Sequence, residues 1–204
     1  MTTKRFTLLL AGAAFVFGMT AAVLPSAQAD DHAMKPAVAA AEATVMVGGA
    51  AMYPSKNIIE NASQSADHKT LVAAVKAAGL VETLSGAGPF TVFAPTDEAF
   101  KKLPAGTVDT LLKPENKGKL STVLTYHVVA GKMTAADLEA KAKEGHGKAV
   151  LKTVEGGDIT VMKDGEGKWW VEDANGGKAQ ITIADVMQSN GVIFVIDTVL
   201  MPKS

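Results

Sequence analysis

The spacing of apolar residues changes character near residue 149. Upstream of it, apolar positions recur every three to four residues, the period of a helix with one buried face. Leu71, Val75 and Ala78 share one face of a helix expected over residues 66–78, while Asp67, Lys69 and Lys76 face away. Ser65 supplies its N-cap, and Gly79 fits the left-handed position that closes a helix. The same reading gives one or two turns over 57–62, another turn over 80–84, and a short capped helix over 107–112 that ends at Pro114. Residues 117–126 read as a helix with Leu120, Val123 and Leu124 on one side, and the chain then extends through 127–129. Thr134 and Asp137 stand at capping-box spacing and start a helix toward Lys143, closed by Gly145 and Gly147. Downstream the period becomes two. Residues 150–154, 159–162, 168–172, 179–183 and 192–199 read as strands, with Asp164-Gly165 and Asn175-Gly176 as hairpin turns.

One stretch breaks this division. Residues 89–100 read PFTVFAPTDEAF. Phe90, Val92, Phe93 and Ala94 form a short apolar run in which Thr91 is the one polar member, a pattern that suits a strand buried on both faces. Pro89 and Pro95 bracket it, as residues unable to donate to a ladder should. Thr96 or Asp97 can then accept from the free N–H groups of a new helix, whose dipole Asp97 and Glu98 complement. Phe100 and Leu103 share its inner face, and Pro104 stops it. A single early strand must join the later sheet, which makes the class α+β.

At the N-terminus, Lys4 and Arg5 precede an apolar run from Phe6 to about Met19, and Ala27-Gln28-Ala29 matches a small-x-small cleavage box. Residues 1–29 therefore read as a secretory signal peptide, cut after Ala29. The alternative is an uncleaved anchor, because the apolar stretch extends to Leu24. Residues 30–54 read as an alanine-rich tether followed by an apolar arm over 45–54, expected to pack along the domain formed by residues 55–204. Removing the signal peptide leaves 18 basic against 21 acidic residues. No clustered positive face suggests nucleic acid. Cysteine is absent, which rules out a disulfide scaffold, thiolate metal sites and cysteine nucleophiles.

Three segments in order carry a family resemblance. The string TVFAPTDEAF resembles the first consensus segment of the fasciclin domain. Leu124 to Val129, reading LTYHVV, resembles its Tyr-His segment, and Asn190 to Asp197, reading NGVIFVID, resembles its second consensus segment. The likeness covers about residues 55–202. It implies a wedge of β-strands with several short α-helices packed along it, and an association with adhesion. In some animal relatives the Tyr-His segment has been linked to integrin recognition, which by resemblance points to Tyr126 and His127. Some fasciclin-domain proteins bind carotenoids. The second segment commonly carries histidine where this chain has Phe194, so one face of that strand is more apolar and a two-imidazole site loses a member.

The residues themselves give further candidates. His127 has a structural reading, favoured here: a buried ring that hydrogen-bonds backbone and ties a helix end to a strand. Trp169 and Trp170, adjacent on one strand, should point to opposite faces, one into the core and one outward as a contact for protein, glycan or apolar ligand. His32, His68 and His146 show no metal-ligand spacing, and neither a G-x-S-x-G elbow nor a phosphate loop is present. Asp97 and Asp197 resemble a carboxylate pair on paper, but a helix-start acid and a strand-end acid explain them better. Asn61-Ala62-Ser63 matches a glycosylation acceptor. The expected function is an exported, periplasmic or extracellular, non-catalytic adhesion module without metal or cofactor, binding a cell-surface or matrix protein or glycan through Tyr126, His127, Trp169, Trp170 or Phe194. The alternative is a carrier of an apolar small molecule such as a carotenoid.

Overall fold

The computed structural model describes residues 44–104 and 106–203; the expected signal peptide over residues 1–29 and residues 30–43 of the expected tether lie outside the described residues. The apolar arm is a β-hairpin, Val45–Val47 (β1) paired with Ala50–Met52 (β2). Gly48 and Gly49 between them have φ of 56° and 75°, the left-handed geometry a tight two-residue hairpin turn requires. A Cβ on Gly48 would collide with Ser65 Oγ, so the hairpin seats only with glycine there. Val47 and Met52 are buried against the helices, and Met46 faces outward.

Helices follow where the apolar period placed them: Ile58–Ala62 (α1), Lys69–Ala78 (α2) and Val81–Ser85 (α3). Ser65 caps a single 3-10 turn, Ala66–His68, that leads into α2, and Gly79 closes α2 at φ 74°. The organising strand is Phe90–Pro95 (β3), followed by Asp97–Lys101 (α4), whose first turn Thr96 caps through Ala99 N–H at 3.2 Å. Thr107–Leu111 (α5) departs from expectation. Gly106 occupies its N-cap in the left-handed region, and no side chain caps it. Lys117–Tyr126 (α6), Val128–Ala130 (β4) and Ala135–Glu144 (α7) complete the helical half, with the Thr134/Asp137 capping box formed.

The strand half is Lys148–Lys152 (β5), Asp158–Lys163 (β6), Trp169–Glu172 (β7), Lys178–Gln188 (β8) and Gly191–Ile196 (β9). Three strands correct the sequence reading, the last being β9, which is expected over 192–199 but ends at Ile196. β5 begins and ends two residues early, because Ala149 and Leu151 point inward while the apolar Val150 faces solvent at 62% exposure. β8 runs past residue 183 through register shifts between Ile181 and Val186, which interrupt the period of two. Within that bulge Asp185 takes a left-handed φ of 55° and its carboxylate accepts from Ala135 N–H at 2.7 Å, capping the first turn of α7.

The main sheet has the order β4-β3-β9-β8-β7-β6-β5, with β3 and β9 parallel and every other pair antiparallel. Its ends almost meet. Val129 bridges to Thr153, and Val154 N–H donates to the Val128 carbonyl at 2.7 Å. The curled sheet therefore encloses one core, which includes Phe93, Tyr126, Ile159, Val171 and Phe194, with Leu138 and Ala142 of α7 packed into it. A second core lies between the helices and the outer side of β3 and β9, through Val92, Ala94, Ile193 and Val195. Those two strands are thus walls of both cores, which is why neither carries a charged residue. Thr91 is fully buried but satisfied: its hydroxyl donates to Gly131 O at 2.6 Å and accepts from Met133 N–H at 2.9 Å.

Asn190, at the turn into β9, binds this wall to the helical layer. Its amide donates to the carbonyls of Leu84 (2.8 Å) and Gly86 (2.9 Å), and its oxygen accepts from Ile58 N–H (3.1 Å). Asn190→Ala strands three backbone groups in a buried site, so it should lower stability by about 2–4 kcal/mol. Urea unfolding measures this; a loss below about 1 kcal/mol would show that water replaces the amide at no cost.

Candidate functional site

Tyr126 is the last residue of α6, and its ring leaves the helix-side core of Leu120, Val123 and Leu124 for the enclosed core. It is fully buried inside the curled sheet. Its hydroxyl donates to Asp158 O at 2.8 Å and accepts from Ala174 N–H at 2.9 Å, joining the β5–β6 and β7–β8 turns. Burial pushes the phenol pKa up, against the lowering effect of the Ala174 hydrogen bond. Gly157 lies against the ring, where a Cβ would sit 2.8 Å from Cε2.

His127 is also buried. Nδ1–H donates to the Val123 carbonyl at 2.7 Å and Nε2 accepts from Leu200 N–H at 2.9 Å, which fixes a neutral tautomer. The ring thus ties the end of α6 to the segment after β9. Burial lowers its pKa from 6.5 to about 4, against smaller raising effects from Val123 O and Asp173. Phe194 is interior as well, stacked on Phe93 with ring centroids 5.5 Å apart and planes 23° from parallel. Three of the five candidate residues therefore present no side-chain surface.

The two tryptophans are both half-buried, rather than one in the core and one in solvent. Trp169 shares parity with Val171 and packs against the enclosed core, with Lys163 Nζ 5.4 Å from its ring centroid. Trp170 stands on the outer face. Its indole N–H donates to Asp164 Oδ2 at 2.8 Å, which, with Lys168 N–H on Oδ1, holds the Asp164 carboxyl below its usual pKa. Strand register places Lys148, Met162, Trp170 and Gln180 in one row across β5–β8, and Val150, Thr160, Glu172 and Lys178 in the next. The fold therefore gathers Tyr126, Phe194 and Trp169 in one core and leaves Trp170 on a four-stranded open face. Val150, Met162 and Gln180 are not singled out by the sequence; the outward parity of Met162 and Gln180 is visible there, whereas the apolar Val150 reads as inward-facing.

Other candidates resolve into structure. His68 is buried, with Nδ1 2.9 Å from Ser65 Oγ, while Nε2 faces the Ala94 carbonyl without reaching a well-formed hydrogen bond. Burial lowers its pKa too. Asp97 accepts from Thr70 N–H (2.8 Å) at the start of α2. Asp197 accepts from Gln180 N–H (2.8 Å) and pairs with Lys102 (3.0 Å); burial pushes its pKa up, but those contacts outweigh it and the net shift is downward. The two carboxylates serve different elements. Asn61 is fully buried, its amide held by the Tyr53 carbonyl and Gln188, so the folded protein does not offer it as a glycan acceptor. Among the described residues no group of three or more His, Asp or Glu side chains converges as a metal site, and no helix is long and apolar enough to cross a membrane. Two apolar cavities of about 20 Å³ each share Leu84 and Val128 as lining, one reaching inward to His127 and the other outward to Val154. A drug-sized ligand needs about 300 Å³ or more.

Comparison with known proteins gives these sites a setting. A family model described as the fasciclin domain matches residues 66–202. Protein sll1483 of Synechocystis sp. is 48% identical over 162 residues, covering 79% of this chain and 82% of that protein. Immunogenic protein MPB70 of Mycobacterium bovis is 35% identical over 148 residues, covering 70% of this chain and 67% of that protein. Cell surface glycolipoprotein MPB83 of the same species is 38% identical over 125 residues, covering 61% and 49% respectively. Among solved structures, a FAS1 domain pair from the insect cell adhesion molecule fasciclin I superposes with a TM-score of 0.64 at 22% identity, covering 73% of this chain and 52% of that one. The chain spans about half of that molecule, and the likeness is one of fold.

The buried His127 makes stability depend on pH. Between pH 6.5 and 4 the unfolded chain binds a proton at this ring that the folded chain does not. Its contribution is therefore complete above pH 6.5 and is lost as pH falls to 4, by roughly 3 kcal/mol in all. Urea unfolding across this range should show a steeper decline for the wild type than for His127→Gln. Parallel curves would remove the ring from the acid response.

Proposed function

The chain belongs to the fasciclin domain family, and on that premise we propose that it is an exported, non-catalytic interaction module that meets a cell-surface or matrix partner through the outer face of β5–β8. The observation that carries the choice of face is Trp170. Its indole is fixed by Asp164 in the middle of an open antiparallel face, flanked in the row by Met162 and Gln180, with Val150 62% exposed beside them. A pre-oriented aromatic ringed by polar side chains suits a contact that needs little ordering on binding. Tyr126 and His127, the pair that resemblance would favour, are held inside by their own hydrogen bonds.

Export rests on the signal-peptide pattern over residues 1–29. A surface setting agrees with the relatives, one of which is a cell surface glycolipoprotein, and with the structural neighbour, a cell adhesion molecule. The carrier reading has the two apolar cavities in its favour, but a ligand would have to part α3 from α6 and β4 to enter.

Sedimentation with cell envelopes of the source organism tests the module reading. Trp170→Ala and Val150→Glu should each weaken binding about 10- to 30-fold with melting temperature unchanged, as expected for a contact worth 1.4–2 kcal/mol. Equal binding by wild type and both variants would sink the choice of face. A visible absorption band, with an added mass of a few hundred daltons in native mass spectrometry (about one drug- or lipid-sized ligand), would put the carrier reading in its place.

A further inference from the structure

The chain leaves β9 at Asp197 and runs across the end of the curled sheet to Pro202. Four side chains hold this strap. Asp197 accepts from Gln180 N–H at 2.8 Å, and its own N–H donates to the Gln180 carbonyl at 3.1 Å. His127 Nε2 accepts from Leu200 N–H at 2.9 Å. Asp173 Oδ2 accepts from Met201 N–H at 3.0 Å. Asn175 donates to the carbonyls of Met201 and Pro202 at 3.0 and 3.2 Å. The strap also buries Val199 in the helix-side core and Leu200 in the enclosed core. No backbone ladder continues past Ile196. Beyond Asp197 the strap is therefore held by the apolar side chains of Val199, Leu200 and the half-buried Met201, and by clasps from residues far away in sequence.

We propose that the segment 198–202 is an acid-released latch, closed while His127 is neutral and let go when its ring takes a second proton. The chemistry of the clasp is one-sided. Nδ1 already donates to Val123 O, so Nε2 is the acceptor, and protonation at Nε2 replaces that acceptor with a second donor facing Leu200 N–H. Both nitrogens of the cation are donors, so no rotation of the ring restores an acceptor for Leu200 N–H. The apolar side chains Ile58, Leu71, Leu84 and Val92 of α1, α2, α3 and β3 line the cavity before it and offer the cation nothing. From the β7–β8 turn, Asp173 is the charged group whose field reaches the ring, and its carboxylate is occupied by Asn175, Gly177 and Met201 N–H groups. Lifting the strap instead opens the ring to water, where the cation is solvated. The latch lies at the sheet end, apart from the open face of β5–β8, and stands whether or not that face binds a partner.

Proton uptake coupled to opening should raise the opening equilibrium toward a limit of about 300-fold as pH falls from well above 6.5 to well below 4, about 80-fold of it between pH 6.5 and 4. Amide hydrogen exchange by NMR, corrected for the intrinsic pH dependence of exchange, reads it directly at Leu200 and Met201. In the wild type both amides should exchange faster than that of Phe194 in β9 at every pH, because the strap opens without the sheet. The opening equilibrium at Leu200 should climb toward the 300-fold limit as pH falls, and change less than threefold in His127→Gln. Exchange of Leu200 in step with Phe194 throughout would overturn the proposal, since the strap would then leave only with global unfolding. So would an equal climb in His127→Gln. If that variant does not fold, the wild-type comparison of Leu200 with Phe194 decides.

Discussion

Two parallel strands, β3 and β9, carry the molecule. Each buries one face in the enclosed core and the other against the helices, so Phe93 and Phe194 stack on one side while Val92, Ala94, Ile193 and Val195 pack on the other. A strand with two buried faces has no position where a charge could reach water. Thr91 is matched by Gly131 and Met133, and Asn190 by Ile58, Leu84 and Gly86, while His68 Nε2, facing the Ala94 carbonyl, is the exception. The helices on one side and the strands β4–β8 on the other are covers for this pair. The near-closure of the sheet at Val129 and Thr153 follows from the need to cover the inner face completely.

Much of this was legible along the chain. The unbroken apolar run of residues 90–94 between two prolines identified the double-faced strand, and the change of period near residue 149 placed helices before strands. Capping residues fixed helix starts well: Ser65, Thr96 and Thr134 all cap where their side chains suggested. What stayed hidden had local causes. Val150 is apolar yet points to solvent, so β5 was read out of step. The bulge at Asp185 spoils a two-residue period, and β8 was cut short, although the bulge is what delivers a carboxylate to α7. The β1–β2 hairpin is only three residues a side, too short for alternation to show, and Gly48-Gly49 was its one visible sign.

The candidate site was legible in part. Burial of His127 and its backbone partners followed from the scarcity of alternatives for a lone histidine in an apolar segment. Its second partner, Leu200, lies 73 residues away and could not be read from spacing. The tryptophans show the limit of parity arguments. Opposite faces were foreseen, but the enclosed core stops short at Trp169 and the Asp164 turn folds back on Trp170, so both rings end half-buried. The Tyr-His segment, whose animal counterparts suggest recognition, is built into the interior here, with Tyr126 and His127 each tying the end of α6 to segments distant in sequence.

The parallel pairing also fixes when the fold can form. Phe93 sits opposite Phe194, and Phe90 opposite Gly191. The first strand of the wall is made about half-way along the chain, and its partner comes almost at the end. Loop closure over such a span precedes any gain from packing, and neither core has its second wall until then. The nascent chain therefore carries unsatisfied apolar segments through most of its synthesis and gains its native core nearly all at once when the last strand arrives. A polypeptide of this design stays unfolded until β9 has been made, and its vulnerability to aggregation belongs to that waiting period rather than to the folded domain.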